Sequence, residues 1–292
     1  LSHNKDRFIE YNPPPNLDQF QYAVKDITYL GEEVDEYGSL SDKTLIPIES
    51  ISIMGTKEVL DELILLLESI NYLYDRIYIE FLCDFNVKNF FEDKYMNDTN
   101  FLKNIRSYIT FYPTNFEHKS NTEQRDLPKW MKFMFKKMDI MRFALNKHKN
   151  TVYLDSDMIL FQKLPLVPKN KDVGLCHHYI NTTDVESFGA FNAGMIYISN
   201  KNFINWFLEQ QGTNKCRYYE QTILEYTHNK FKTFLFKPQV NFGYWRFTQS
   251  VHQKWVYQNF KIKDGLITYQ NRNLQSIHTH LLGKHPNIAG FN

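Results

Sequence analysis

The most regular feature of the chain is an alternation of apolar runs with helix-spaced apolar positions, which starts at residue 45. The first run predicts a strand that ends at Gly55-Thr56. Residues 57–72 carry apolar side chains three and four positions apart, which predicts a helix, and residues 76–83 predict a second strand. A strand, a helix and a strand in this order form a βαβ unit, and the handedness of such units favours a parallel sheet.

The alternation continues to residue 236 and predicts an α/β fold, with helices flanking a mostly parallel sheet. A helix over 129–145 leads into a buried strand at 151–154, and Asn200 is placed to cap a helix over 200–210. The other predicted elements are strands at 108–112, 172–176, 195–198 and 231–236 and a helix that starts at 218.

Two carboxylates follow the predicted strand at 151–154. Asp155 and Asp157 are separated by Ser156, and apolar residues continue beyond them. In an extended backbone, residues two apart point to the same side, so both carboxylates converge. They repel each other unless a cation lies between them, and Mn²⁺ or Mg²⁺ shared with phosphate oxygens fits that geometry. A solvated turn is the alternative, but the apolar flanks favour the metal site because carboxylates are seldom brought to the edge of a core without a partner.

Composition narrows the class of protein. The 292 residues, 42% of them hydrophobic, suffice for a sizeable core in one α/β unit. A formal net charge of +1 provides no global field for nucleic acid or an anionic membrane. The three widely spaced cysteines match neither a disulfide framework nor a zinc site, which favours a reducing compartment. Because no signal-peptide pattern and no apolar run of membrane-span length is present, we expect a cytoplasmic protein.

Ligands gather at the carboxyl ends of strands in an open parallel sheet, where Gly55-Thr56 and the aspartate pair both lie in the predicted arrangement. Residues 188–199 add small side chains, which let a ligand approach the backbone closely. Within them, Asn192 carries an amide that both donates to and accepts from sugar hydroxyls. The same segment is also compatible with a bulge that leads into a core strand.

Histidines and aromatic residues supply further candidates. His177 and His178 are adjacent, would point in different directions on a strand, and are predicted in a loop. His278 and His280 share a face if their segment is a strand, and a neutral imidazole there would supply a further metal ligand. Residues 241–260 are rich in aromatic rings interleaved with basic side chains, which indicates either a stacking platform for sugars or a satellite core.

Four segments in this order resemble glycosyltransferases of the GT-A fold. Residues 153–160 read Tyr-Leu-Asp-Ser-Asp-Met-Ile-Leu, and residues 191–195 read Phe-Asn-Ala-Gly-Met. Residues 220–221 read Glu-Gln, where the family usually has Asp-Gln, and residues 280–284 read His-Leu-Leu-Gly-Lys. The chain is most similar to the glycogenin-like family of retaining enzymes, which includes bacterial lipopolysaccharide galactosyltransferases. This resemblance, over residues 45–286, implies a Rossmann-like mixed sheet of the GT-A type, mostly parallel and flanked by helices.

The resemblance also implies a role for each matching residue. Asp155, Asp157 and His280 would bind Mn²⁺ or Mg²⁺ on the donor diphosphate. His278 competes with His280 for this role. Glu220 and Gln221 would lie beside the anomeric carbon. The residues that would contact the nucleotide, its phosphates or the donor sugar are Gly55, Thr56, Lys137, Ser156, Asn192, Ala193, Gly194, Gly283 and Lys284.

The family pattern leads us to expect one catalytic domain with an arm in front of it. Residues 1–44 are polar and punctuated by prolines, which predicts an irregular N-terminal arm. Residues 45–292 form the predicted catalytic domain, in which residues 45–160 would bind the nucleotide and residues 161–292 the sugar and the acceptor.

The resemblance implies a hexosyltransferase that takes its sugar from a nucleotide donor, expected to be UDP-linked because the family uses UDP, and delivers it to a glycan, a protein or another hydroxyl acceptor. Retention of anomeric configuration is expected, with Glu220 or Gln221 on the reacting face. Two other classes remain open. One is a nucleotidyltransferase that makes nucleotide sugars, for which residues 54–57 are a thin match to a glycine-rich loop. The other is a non-catalytic carbohydrate- or nucleotide-binding protein, which turnover with nucleotide sugars would exclude.

Overall fold

The computed structural model describes residues 33–34, 45–116, 127–213, 215–216, 220–250, 253–263 and 265–279. The predicted arm at 1–44 lies outside these ranges apart from one two-residue strand, Glu33–Val34. Within the described ranges, no helix is both long enough and apolar enough to cross a membrane.

Strands and α-helices alternate from residue 50 to residue 154. The strands are β1 (Glu33–Val34), β2 (Leu45–Ile46), β3 (Ser50–Gly55), β4 (Tyr78–Cys83), β5 (Ile109–Pro113), β6 (Thr151–Leu154), β7 (Met158–Leu160), β8 (Val167–Pro168), β9 (Val173–His177), β10 (Phe191–Ile198), β11 (Thr233–Phe236), β12 (Phe242–Gly243), β13 (Phe260–Lys263), β14 (Leu266–Tyr269), β15 (Arg272–Asn273) and β16 (Ser276–His278). The α-helices are α1 (Leu60–Leu73), α2 (Phe85–Asn97), α3 (Leu127–Lys147), α4 (Thr182–Phe188), α5 (Lys201–Glu209), α6 (Arg246–Gln249) and α7 (Gln253–Asn259). Short 3₁₀ helices span Lys57–Val59, Arg106–Tyr108 and Gln221–Asn229.

The central sheet has eight strands in the order β1-β11-β9-β10-β6-β3-β4-β5. Neighbouring strands run parallel except at β10, which is antiparallel to both β9 and β6. The register pairs Ile53 with Leu154, so β3 and β6 end at the same edge of the sheet. The expected α/β fold with a mixed, mostly parallel sheet is therefore confirmed.

Each face of the sheet is covered by helices because its strands are apolar on both sides, as buried strands of parallel sheets are. On one face, Leu63 and Leu67 of α1 and Phe91 of α2 are fully buried against Ile51 and Ile53. Asp84 begins α2 as its N-cap, where its side chain accepts a hydrogen bond from the Val87 N–H. On the other face, residues of α3 and α5 pack in the second core, among them Met138, Met141, Phe203 and Phe207.

Several elements differ from their predicted bounds, and three of them carry candidate residues. The strand predicted at 172–176 is β9, which runs one residue further, so His177 is not in a loop but is a buried strand residue. The strand predicted at 195–198 is β10, which begins at Phe191, and its pairing with β9 shifts register between Asn192 and Ile196. The helix predicted from 218 is, in the described residues, a 3₁₀ helix over Gln221–Asn229.

A second lobe follows the central sheet. Strand β16 joins β12 on one side and β7 on the other, and β7 comes directly after the aspartate pair. Strands β13, β14 and β15 form a separate antiparallel sheet. The aromatic rings of the region build a small core rather than an open platform. Its buried members are Phe242, Val256, Tyr269 and Leu274, with Phe247, Trp255 and Phe260 packed against them.

Candidate metal and donor site

The site lies at the carboxyl edge of the central sheet, where β3 and β6 end side by side. Gly55 is the last residue of β3, and a Cβ at this position would stand 2.7 Å from Leu63 Cδ1. The glycine therefore lets α1 pack tightly against the strand end. The Lys57 N–H donates to Asp84 Oδ2 at 2.9 Å, which fixes the backbone after the buried Thr56. This builds a rigid backbone next to the aspartate pair.

Asp155, Asp157 and His278 converge on one point. One ligand atom from each lies within 4.8 Å of the others. His278 Nε2 stands 2.8 Å from Asp157 Oδ1 and 3.9 Å from Asp155 Oδ2. The antiparallel pairing of β16 with β7 places His278 opposite Met158, just beyond the aspartates. The N–H and the hydroxyl of Thr279 both donate to the Asp157 carbonyl at 2.9 Å, which fixes the turn between the two carboxylates.

Strand β10 passes directly beneath these three side chains at Gly194. A Cβ here would lie 2.3 Å from His278 Cε1 and 2.7 Å from Asp155 Oδ2. The Gly194 carbonyl accepts a hydrogen bond from the Asp155 N–H at 2.8 Å. The glycine therefore leaves room for the imidazole and the carboxylate. Its contact with a ligand stays a prediction.

A buried ion pair lies under the aspartates. Lys137 Nζ of α3 is 2.6 Å from Glu220 Oε1, 3.2 Å from the Ala193 carbonyl oxygen and 3.9 Å from Asp155 Oδ1. Burial pulls the pKa of Lys137 down, but Glu220, Asp155 and Asp157 together outweigh it, and the pKa is raised. Lys137 is therefore a permanent cation set among carboxylates.

Tyr153 is buried beside this pair. Lys137 Nζ lies 4.9 Å from the centre of its ring. Burial, followed by the charge of Asp155 and a hydrogen bond to that carboxylate, holds the pKa of Tyr153 well above its ordinary value. The phenol therefore stays protonated and serves Asp155 as a hydrogen-bond donor.

The segment from Asn192 to Gly194 is held from two sides. Asn192 Oδ1 accepts from the Gly194 N–H at 3.0 Å and from the Asn241 amide at 3.1 Å. Gln221 Oε1 accepts from the Ala193 N–H at 3.1 Å, while its amide donates to the Phe188 carbonyl at 2.6 Å. This part of β10, where the register shifts, is thereby fixed in place above the ion pair.

Trp245 connects the second lobe to the central sheet. Its indole N–H donates to the His178 carbonyl at 2.9 Å. Its ring meets both His178 and His278 edge to face, with centroids 5.1 Å and 5.0 Å away. Gly243 makes room for it, because a Cβ at Gly243 would lie 2.0 Å from the indole. The indole thus orients the histidine that reaches the aspartates.

The structure brings most of the predicted site residues into one neighbourhood. Around the Asp155, Asp157 and His278 cluster it places Lys137, Ser156, Asn192, Ala193, Gly194, Glu220 and Gln221, with Gly55 and Thr56 on the adjoining strand end. The predicted His280, Gly283 and Lys284 lie outside the described residues. Sequence reasoning did not single out Tyr153, Trp245 or Asn241, although the last two fall in the predicted aromatic segment.

The comparisons with known proteins identify the fold. No family model matches the chain, and no curated protein matches it by sequence. Among solved structures, the galactosyltransferase LgtC, in complex with donor and acceptor sugar analogues, matches with a TM-score of 0.51 and 15% identity over 79% of this chain and 86% of its own. Mouse xyloside xylosyltransferase 1 gives a TM-score of 0.45 and 12% identity over 80% and 97% of the two chains.

Glycosyltransferase GlyE of Streptococcus pneumoniae TIGR4 gives a TM-score of 0.47 and 13% identity over 68% of this chain. This chain spans 48% of the GlyE chain, about half of its length. At these identities the likeness concerns the fold alone. The match to LgtC, together with the strand order and the helices on both faces, shows that this chain has the GT-A glycosyltransferase fold.

Proposed function

We propose that the protein is a metal-dependent glycosyltransferase that moves a hexose from a nucleotide sugar, expected to be UDP-linked, to a hydroxyl group of a glycan, a protein or another acceptor. The observation that carries the proposal is the convergence of Asp155, Asp157 and His278 at the carboxyl edge of a GT-A sheet. Ligands of open α/β sheets bind at this edge.

The donor set fits a divalent transition metal. Two carboxylate oxygens and one imidazole nitrogen, with open positions left over, suit Mn²⁺ better than Mg²⁺, which prefers oxygen ligands. Asp155 and Asp157 are held near each other with Glu220 behind them, and among the described residues Lys137 is the lysine paired with Glu220 and Asp155. When bound, the ion would offset the negative charge of the carboxylates and of the donor diphosphate. The leaving diphosphate would then not need to take up a proton. His280, which the family resemblance favours, is a further candidate ligand.

Other residues of the chain would orient the donor. Gly55 and Thr56 end the strand beside β6, where the nucleotide is proposed to lie, and Ser156 lies between the two aspartates. Asn192, Ala193 and Gly194 are proposed to line the sugar, and Gly283 and Lys284 to contact the phosphates. Lys137 was expected to touch the donor, but its ammonium is bonded to Glu220 and fully buried. We therefore assign it the role of holding Asp155 and Ala193 in place.

Retention of anomeric configuration remains part of the proposal. Gln221 accepts a hydrogen bond from the Ala193 N–H, and Glu220 is paired with Lys137, which donates to the Ala193 carbonyl. These contacts support a role for both residues beside the proposed sugar position. Glu220 is bound to Lys137, and Gln221 makes hydrogen bonds through both ends of its amide. Either group must release one of these contacts before it can face the anomeric carbon. A ¹H NMR spectrum of the glycoside product tests retention directly.

The test of the proposed function is release of UDP from a panel of UDP-sugars, with and without Mn²⁺, in the presence of a mixture of glycan acceptors. We expect Mn²⁺-dependent UDP release with at least one sugar, and its loss after chelation. If instead the protein released pyrophosphate from UTP and a sugar phosphate, it would be a nucleotidyltransferase. If no donor turned over while a nucleotide still bound, the non-catalytic binding function would replace the proposal.

A further inference from the structure

The near-neutral total charge of the chain conceals a strong asymmetry. Residues 237–292 contain seven of the 34 basic side chains and one of the 33 acidic ones, Asp264. The preceding residues therefore hold 27 basic and 32 acidic side chains. The C-terminal segment is thus positive while the rest of the chain is negative. An asymmetry of this kind indicates contact with an anionic surface.

Among the described residues of this segment, the exposed basic side chains lie on one small sheet and the helix before it. Lys254 of α7, Lys261 and Lys263 of β13, and Arg272 of β15 are all exposed. Arg246 does not contribute, because it is fully buried under the rings of Tyr179 and Phe242. We call α7 and β13–β15, the described residues 253–263 and 265–273, the basic hairpin region.

The end of the β13–β14 hairpin is apolar as well as basic. Ile262 is 72% exposed and Leu266 is 56% exposed. The register pairs Ile262 with Ile267 on the face that packs on the small core, and Lys263 with Leu266 on the opposite face. Because Phe260 and Tyr269 fill the core end of this hairpin, Ile262 projects past the core. Apolar side chains therefore lie on both faces of the tip, with lysines beside them.

We infer that the basic hairpin region docks the protein on a membrane surface that contains anionic lipids. Lysines at an anionic interface are attracted by the surface potential, and exposed apolar side chains among them enter the boundary of the acyl chains. An anionic polymer would use the same cations but would gain nothing from Ile262 and Leu266. The combination therefore favours a lipid surface over a soluble polyanion. The docking needs no spanning helix and is independent of the proposed transfer reaction.

Vesicle co-sedimentation of the full chain tests this inference without any turnover. We expect binding to phosphatidylcholine vesicles that contain phosphatidylserine, little binding to phosphatidylcholine alone, and weaker binding at high salt. Lys261→Glu with Lys263→Glu should weaken binding at least about 25-fold, since each lysine near such a surface contributes about fivefold. Ile262→Ser with Leu266→Ser should weaken it about tenfold or more.

Matched controls come from exposed positions elsewhere. Met96→Ser removes an apolar side chain that is 83% exposed, and Lys103→Glu with Lys169→Glu makes the same charge change outside the basic hairpin region. These variants should bind like the parent chain. The inference is overturned if the parent chain does not prefer the anionic vesicles, or if the controls weaken binding as much as the hairpin variants. It is also overturned if Ile262→Ser with Leu266→Ser leaves vesicle binding unchanged, because the surface would then bind a soluble polyanion such as heparin through its charges alone.

Discussion

Two buried carboxylates of this protein, Glu80 and Glu220, differ in the groups that surround them. Near the amino end of β4, Glu80 accepts hydrogen bonds from the Tyr112 hydroxyl at 2.6 Å and from Lys147 at 3.1 Å, and His148 Nε2 lies 2.9 Å away. Three groups thus satisfy one carboxylate. At the carboxyl edge, the described residues place one cation, Lys137, against Glu220 and Asp155.

The difference shows which feature marks a functional site in this fold. Burial and an ion pair occur in both places, so neither indicates function. What separates the two is the number of carboxylates. At Glu80, one carboxylate is bound by three side chains, whereas three carboxylates, Glu220, Asp155 and Asp157, come together at the other site. Carboxylates brought close together repel each other, and a cation between them relieves the repulsion. This is the physical argument for a cation at Asp155 and Asp157.

The largest expected effect is on turnover. Asp157→Asn keeps the shape of the side chain but removes one charge from the proposed metal site. We expect nucleotide-sugar turnover to fall by more than about 10²-fold, because even residues that only support metal ligands contribute up to about 100-fold. Glu80→Gln, which removes the satisfied carboxylate, should leave turnover nearly unchanged. Equal turnover in the two variants, measured as Mn²⁺-dependent UDP release, would remove the distinction between the two regions.

The next effect is on stability. Lys137→Met leaves Glu220 buried without its partner, so the free energy of unfolding should fall by about 3–5 kcal/mol. Lys147→Met should cost about 1 kcal/mol or less, because Lys147 is half exposed and Glu80 keeps its contacts with Tyr112 and His148. Urea unfolding at neutral pH measures both. The double variant Lys137→Met with Glu220→Gln should recover most of the lost free energy of unfolding. Similar losses of stability in Lys137→Met and Lys147→Met would contradict the comparison.

A glycine pair separates packing from metal binding. Gly194→Ala would push a methyl group against His278 and Asp155, and Gly174→Ala would push one against the Phe234 ring. Both should destabilise the fold by about 1–3 kcal/mol through overpacking. Only Gly194→Ala should weaken Mn²⁺ affinity, by about tenfold or more. Calorimetric titration with Mn²⁺ measures this affinity, and parallel losses in both variants would show that the effect is one of general packing.

The smallest expected effect comes from His177, a histidine whose pKa is lowered by burial. Burial lowers the pKa of His177 from its ordinary value of 6.5 to about 4. Between these values the unfolded chain binds the proton and the folded chain does not, so stability falls as the pH drops below about 6.5. His177→Phe should remove about 2 kcal/mol of the stability difference between pH 7 and pH 5. Urea unfolding at both values measures it, and an unchanged difference would show that His177 does not titrate in this way.

The sequence was sufficient where local pattern decides the structure. Hydrophobic periodicity predicts the strand that ends at Gly55, the buried strand before Asp155 and a parallel sheet that contains both. The structure has both strands, paired in parallel. The placement of the aspartates at the carboxyl edge follows from the same reasoning. The prediction of the GT-A fold depended on the spacing and order of short motifs, because periodicity alone does not specify this fold.

The rest depends on contacts between distant residues. Lys137 and Glu220 are 83 positions apart, and nothing in either local segment pairs them. His178 and Trp245 meet through a hydrogen bond across 67 positions. Strand pairing between β16 and β7 brings His278 to Asp157, whereas the family pattern favoured His280, which lies outside the described residues. Periodicity put both histidines on one face and could not choose between them.

We propose that Asp155, Asp157 and His278 bind a divalent ion together with a nucleotide. A thermal-shift screen of UDP, GDP, CMP and dTDP, each with and without Mn²⁺, tests this proposal. We predict a Mn²⁺-dependent rise in melting temperature with UDP, corresponding to about 2.7 kcal/mol at about 100 times the dissociation constant. The shift should disappear in Asp155→Ala and persist in Glu80→Gln. No shift with any nucleotide, or a shift that Asp155→Ala retains, would contradict the claim.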